Sequence, residues 1–188
     1  MEEKKTTFDS TITITTEIQT KNMKTKLILA LFIPFFYSCI ETLPDEELTM
    51  IRTPYNGKEI RLDGYYSGLN YQSGNTTYIQ YMFFYSNGIM YTSFGYDSNI
   101  KDIDKIVSLM DKDRNIKRHW AIFQVKKDTI TIQGWRLRDY VYQNYAYNYR
   151  YKIINDTTLF YENSLGVTTK FYFKKYSPKL DSTNVFIK

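Results

Sequence analysis

The chain has one cysteine, Cys39, and one histidine, His119, among its 188 residues. A lone cysteine closes no internal disulfide, so the fold must be held by its core. One histidine and one cysteine cannot supply the ligand set of a typical zinc site, and no metal is expected. There is no Gly-x-Ser-x-Gly elbow, no Gly-x-Gly-x-x-Gly and no Walker loop, which removes the common signals for serine hydrolases and nucleotide sites. Asp111-Lys112-Asp113-Arg114-Asn115 opens like a calcium loop, but Ile116 and Ile122 stand where an EF-hand needs Gly and Glu. Asp102 and Asp104 are two apart on a predicted helix, do not face one another, and make a poor acid–base pair. No cofactor is implied and no nucleophile can be paired with a base, so an enzyme is not expected. His119 is read as a residue at the start of a strand.

Long apolar runs are also missing. Leu27–Ile40 is shorter than the roughly 20 residues that a spanning helix needs. It follows Lys24-Thr25-Lys26 and ends in Tyr37-Ser38-Cys39, the order of basic region, apolar region and small residue that marks a secretory signal. Phe36-Tyr37-Ser38-Cys39 resembles the lipobox of a bacterial lipoprotein signal peptide, with Phe36 and Tyr37 bulkier than the usual residues. The resemblance implies cleavage before Cys39, lipid on that cysteine, and a protein held on the outer membrane of the cell envelope. Residues 1–22 are polar and Thr-rich and do not suit a signal peptide; they are expected to be an upstream extension, with the true start at Met23. The expected organisation is then a signal over 23–38, a flexible tether over 39–58 and one domain over 59–188. The tether reading rests on its polar, acidic composition around Pro44-Asp45-Glu46-Glu47. Those acids resemble the surface-export signals of lipoproteins from the Bacteroidetes; a plain solvated linker is the alternative. The net charge of +5 is spread along the chain. Lys117-Arg118-His119-Trp120 is the best basic, aromatic cluster, but it is short and the address is exported, so no nucleic-acid partner is expected.

From residue 59 the pattern is β. Tyr, Phe, Ile, Val and Thr dominate between recurrent turn signals, predicting strands over 60–67, 77–86, 89–95, 119–126, 129–135, 143–153, 158–162 and 168–175. Ser86-Asn87-Gly88 marks a tight hairpin, because Asn-Gly takes positive φ readily. Lys126-Lys127-Asp128 and Asn155-Asp156-Thr157 mark two more turns. Ile100, Ile103, Ile106, Val107 and Met110 fall on one face at helical spacing, with Asn99 and Asp102 placed as a cap. Eight short strands in sequence predict an all-β, up-and-down barrel with one short helix, since closure removes exposed edges; a β-sandwich is the alternative. Gly64-Tyr65-Tyr66, Phe83-Phe84-Tyr85-Ser86-Asn87-Gly88, the run Trp120–Ile132 and the run Tyr151–Tyr161 resemble the small lipocalin-like lipoproteins of the Bacteroidetes, with the helix as an insertion.

Tyrosine is the abundant residue, at 19. Tyr145, Tyr147, Tyr149 and Tyr151 point one way from one strand, and Tyr81 and Tyr85 flank Phe83 on one face of another. A phenol joins an apolar ring to a polar tip, so these six residues are the candidate ligand contacts, against the alternative that they simply pack the sheet. The expected function is a lipid-anchored binding module for a small amphipathic ligand, a glycan or a protein partner. The alternative is a structural or assembly subunit of the envelope without a ligand.

Overall fold

The computed structural model describes residues 43–73, 76–96, 103–138 and 142–188, except for the side chains of 70–73, 76–77 and 94–96. Cys39, the upstream segment and the cap at Asn99 and Asp102 lie outside these residues. Leu43–Lys188 form a compact unit. Its strands are β1 (Gly64–Ser73), β2 (Thr76–Phe84), β3 (Ile89–Tyr96), β4 (Trp120–Lys126), β5 (Thr129–Arg138), β6 (Gln143–Asn155), β7 (Thr158–Glu162) and β8 (Thr168–Lys175), with helix α1 (Ile103–Lys112) between β3 and β4. Every strand pairs antiparallel with its neighbour in sequence, and β8 pairs back onto β1, with Tyr66 opposite Phe173. The result is a closed, eight-stranded, up-and-down barrel of lipocalin-like form, not a sandwich.

The turns follow from local chemistry. Gly88 takes φ +81° in the β2–β3 hairpin, and a Cβ there would collide with the Thr53 carbonyl. In the β6–β7 turn the Asn155 side-chain oxygen accepts from both the backbone N–H (3.0 Å) and the hydroxyl (2.9 Å) of Thr157.

Two hydrophobic layers hold the barrel. The inner one takes residues from every strand, among them Tyr66, Phe84, Met90, Phe123, Ile132, Leu159 and Phe171. The outer one lies against β1 to β5 alone and is covered by Ile106 and Met110 of α1 and by the C-terminal tail through Leu180, Phe186 and Ile187. The helix is the one whose apolar spacing the sequence carries, over Ile103, Ile106, Val107 and Met110. Each large side chain buried fully here contributes about 1.5–3 kcal/mol.

The first predicted strand begins four residues late, at Gly64. Ile60–Asp63 belong instead to a plug across the lower end of the barrel. Ile60 is 3% exposed in the inner layer, and Tyr55 and Leu62 pack against it. The Tyr66 hydroxyl fixes the plug by donating to the Asp156 carbonyl while accepting the Arg61 N–H.

Residues 43–52 also depart from expectation. Where composition suggests a flexible tether, they form a strap hydrogen-bonded to the outside of β5 and β6. The Glu46 N–H donates to the Asn144 carbonyl at 2.8 Å, and the Asp45 carboxylate accepts from the Asn144 N–H at 2.8 Å. Trp135 Nε1 donates to the Glu46 carbonyl at 2.7 Å, and the Met50 N–H donates to Gln133 Oε1 at 2.6 Å. The acids that mark the segment as solvated are the groups that dock it. β7 is 5 residues long against 13 in β6, so the upper part of β6 has no β7 neighbour, and side-chain carboxylates satisfy its free N–H groups.

Candidate ligand cavity

The barrel interior is filled below and open above. The upper half is a cavity of about 620 Å³, within the range of small-molecule sites. One wall is aromatic: Tyr145, Tyr147, Tyr149 and Tyr151 of β6, joined by Tyr161 of β7. The rings form a continuous ladder. Tyr147 and Tyr149 are 4.6 Å apart between centroids, Tyr149 and Tyr161 5.5 Å, and Tyr151 and Tyr161 5.1 Å. Tyr151, 3% exposed, is the floor, packed on Phe171.

The opposite wall is polar. Gln80 of β2 donates to the Thr92 hydroxyl of β3 at 3.1 Å. His119 sits at the rim, its Nδ1 2.7 Å from the Thr92 carbonyl and its ring stacked on Tyr91. If Nδ1 carries the proton that this contact calls for, Nε2 is left as an acceptor. Burial holds the His119 pKa below the usual histidine value, so the ring is neutral at pH 7.

The cavity also reaches through the wall. Thr92 and Ser93 are neighbours on β3 and point to opposite faces, yet both border it; Trp135, Arg136 and Leu137 do the same on β5. The register explains this. β3 and β4 pair only from Ile89↔Ile122 to Tyr91↔Trp120, after which the chain leaves for α1 and returns through a 3-10 turn at Lys117–His119. That turn, and not a ladder of backbone bonds, fills the seam.

Two arginines line this cavity, Arg118 and Arg136, and Arg136 is the one carried on the inward face of a strand. On β5, Ile130, Ile132, Gly134 and Arg136 share the inward face. Arg136 stands opposite Tyr145, but its guanidinium carbon lies 5.3 Å from the centroid of the Tyr147 ring and 4.9 Å from that of Tyr149. The side chain therefore leans down the barrel, past Gly134, toward the floor. Among the described residues it has no carboxylate partner. Arg138, one step higher, is engaged: it bonds Gln143 Oε1 at 3.2 Å and lies 4.0 Å from Glu46. Burial pushes the Tyr147 hydroxyl up to about 12 even though Arg136 pulls it down, and burial pushes Tyr151 up as well.

Four of the six candidate tyrosines, those of β6, are thus brought to one cavity. Tyr81 and Tyr85 are not. Tyr81 on the outer face of β2 and Tyr85 just past its end are 6% and 7% exposed, in the layer under α1 and the tail, and their assignment as ligand contacts is corrected to packing. Both faces of β2 are buried, so strand parity alone does not distinguish inside from outside. Gln80, Thr92, Arg136 and Tyr161 line the cavity without having been singled out. Parity was the available signal for two of them: Gln80 shares a face with Met82 and Phe84, and Arg136 with Ile130 and Ile132. Cys39 lies outside the described residues. Among the described residues no three His, Cys, Asp or Glu side chains converge as metal ligands, and no helix is long and apolar enough to cross a membrane.

Fold and site together define a closed antiparallel barrel with a tyrosine-walled, arginine-bearing cavity. No family model, curated protein or solved structure matches the chain.

Proposed function

We propose that this protein is a lipid-anchored binding module of the bacterial cell envelope, and that its barrel takes up a small amphipathic ligand. The observation that carries the reading is the half-open interior. A barrel serving only as a scaffold gains by filling its core, because each void forfeits packing energy. Here the lower half is filled and plugged, whereas the upper half opens into a cavity of about 620 Å³ that extends past the β3–β4 seam, with rings on one side and amide, hydroxyl and imidazole groups on the other. Such a surface suits a ligand with an apolar body and a polar end. The anchoring part of the reading rests on the Lys24–Cys39 segment alone.

Native mass spectrometry of the protein purified from its own envelope tests both parts. The expected species begins at Cys39, carries acyl mass and retains a small molecule that Tyr149→Trp, which narrows the cavity, displaces. A species with acyl mass and a protein partner but no small molecule, in both proteins, would favour an assembly role. Normal membrane anchoring of Cys39→Ser would remove the lipoprotein reading.

A further inference from the structure

We infer that the ligand is an organic anion, a carboxylate or similar oxyanion on an apolar body, held by Arg136 over the tyrosine ladder. The inference rests on the cavity reading above and adds the charge of the ligand to it.

The inward face of a barrel strand is normally apolar, and β5 obeys this through Ile130 and Ile132 before breaking it at Arg136. An arginine at such a position needs a reason. Arg136 is solvent-exposed, yet its guanidinium does not extend to the mouth: it turns down the barrel to lie over Tyr147 and Tyr149, deeper than its own register partner Tyr145. Among the described residues no carboxylate neutralises it. Arg138 is bonded to Gln143 and approaches Glu46 on the strap, and Lys117 is paired with Asp45 at 2.9 Å, whereas the contacts of Arg136 among the described residues are ring faces. The other charged residues lining this cavity are Arg118 and Asp113, so its described charges are two guanidinium groups and one carboxylate.

The geometry fits the chemistry. Ring faces beneath the guanidinium satisfy its quadrupole attraction but use none of its five N–H donors, which leaves the planar fork free for two oxygens of an incoming anion. Beside and below it, the rings of Tyr149, Tyr151 and Tyr161 form an apolar wall, and Gln80 lines the same cavity as a neutral polar group. A neutral ligand would leave the charge of Arg136 unmatched in a partly enclosed site, so affinity should favour the acid over its uncharged counterpart.

The test uses a matched pair of probes, 11-(dansylamino)undecanoic acid and its methyl ester, titrated into the purified protein by fluorescence. The acid should bind about tenfold or more tighter than the ester, the scale expected of a charge-assisted hydrogen-bonded pair. Arg136→Gln should bring the acid down to the level of the ester and leave the ester unchanged, and Arg136→Lys should fall between. Equal affinity of acid and ester in the unaltered protein overturns the anion inference while leaving the cavity reading intact. Loss of both probes in Arg136→Gln, with thermal unfolding unchanged, assigns Arg136 a structural role and overturns it too. Failure of both probes to bind the unaltered protein overturns the cavity reading and this inference with it, and binding of the ester but not the acid overturns this inference alone.

Discussion

Gly134 stands directly across the β5–β6 ladder from Tyr147, and the phenol oxygen of Tyr147 lies 3.2 Å from where a Cβ on Gly134 would be. The missing side chain leaves the space in which the ring lies across β5. The same Cβ would sit 2.9 Å from that of Ala121, so the position is closed on two sides. Glycine in a strand ordinarily costs about 0.5–1 kcal/mol relative to alanine. Here the sign should reverse: Gly134→Ala should destabilise by about 1–3 kcal/mol through overpacking. Urea denaturation gives the answer, and an unchanged or raised midpoint would mean that the ladder adapts freely.

The tyrosines should separate by depth. Tyr151→Ala removes a floor residue that is 3% exposed and should cost about 3–5 kcal/mol, by analogy with buried phenylalanine. Tyr81→Ala should cost a similar amount through the outer layer, at 6% exposure, without altering probe binding. Tyr145→Ala, at the half-buried rim, should cost under about 1 kcal/mol and weaken binding instead. Denaturant melts beside probe titrations measure both quantities. A severe loss of stability in Tyr145→Ala, with binding intact, would move that residue into the core.

Alkaline pH should act in two stages of opposite sign. Burial lowers the Lys179 pKa to about 8, its ammonium being held against the Leu62 and Phe84 carbonyls at 2.6 Å each. Between pH 8 and about 10.5 the unfolded chain then binds the proton that the folded chain has shed, and stability rises. Burial raises Tyr66 and Tyr147 to about 12, and Tyr85, Tyr91 and Tyr151 higher still. Their stabilisation is whole below the unfolded value of about 10 and is lost as pH climbs through the folded values, at about 2–3 kcal/mol for a fully buried ring such as Tyr66. Urea midpoints should therefore rise gently from pH 8 to about 9.5 and collapse above about 10.5, with the phenolate absorbance of the buried rings appearing only as the protein unfolds. Lys179→Met should flatten the rise and keep the collapse.

The strap depends on one carboxylate. Burial alone would raise the Asp45 pKa, but hydrogen bonds from Lys117 and Asn144 outweigh it and hold the group below its usual range. Asp45→Ala strips acceptors from the Asn144 N–H and side-chain amide and from Lys117. It should cost about 1–3 kcal/mol and open residues 43–52 to protease. Resistance equal to that of the unaltered protein would show that Glu46 and Gln133 hold the strap without it.

What could be read from the residues was mostly grammar. Asn87-Gly88, Lys127-Asp128 and Asn155-Asp156 carry turn chemistry in two or three residues, so the hairpins, and with them the up-and-down order, were legible. The alternation in β6 gave the shared face of Tyr145 to Tyr151, because period 2 is a property of the backbone. Three things were not local. Whether a face looks inward depends on what covers the other side, and for Tyr81 and Tyr85 the cover is α1 and a tail beginning some 90 residues later. Whether an acidic stretch is a leash or a strap depends on a free strand edge, which exists only because β7 is short. The position of Arg136 required extending β5 beyond residue 135, into residues whose side chains no longer looked like strand.

The β1–β8 seam has a consequence for the order of assembly. Every other strand pair joins neighbours in sequence, so each can form with little loop entropy, while the pairing of Gly64 with Lys175 joins the two ends of the domain. Barrel closure is expected to be the late, slow step, and until it occurs the meander has two bare edges and a tyrosine ladder facing water. Pulse-labelled hydrogen exchange during refolding should protect the amides of β4–β6 before those of β1 and β8, and the reverse order would place closure early. A chain of this design encloses its cavity only at the moment it loses its edges, so bare edges and exposed rings coexist in every state before closure.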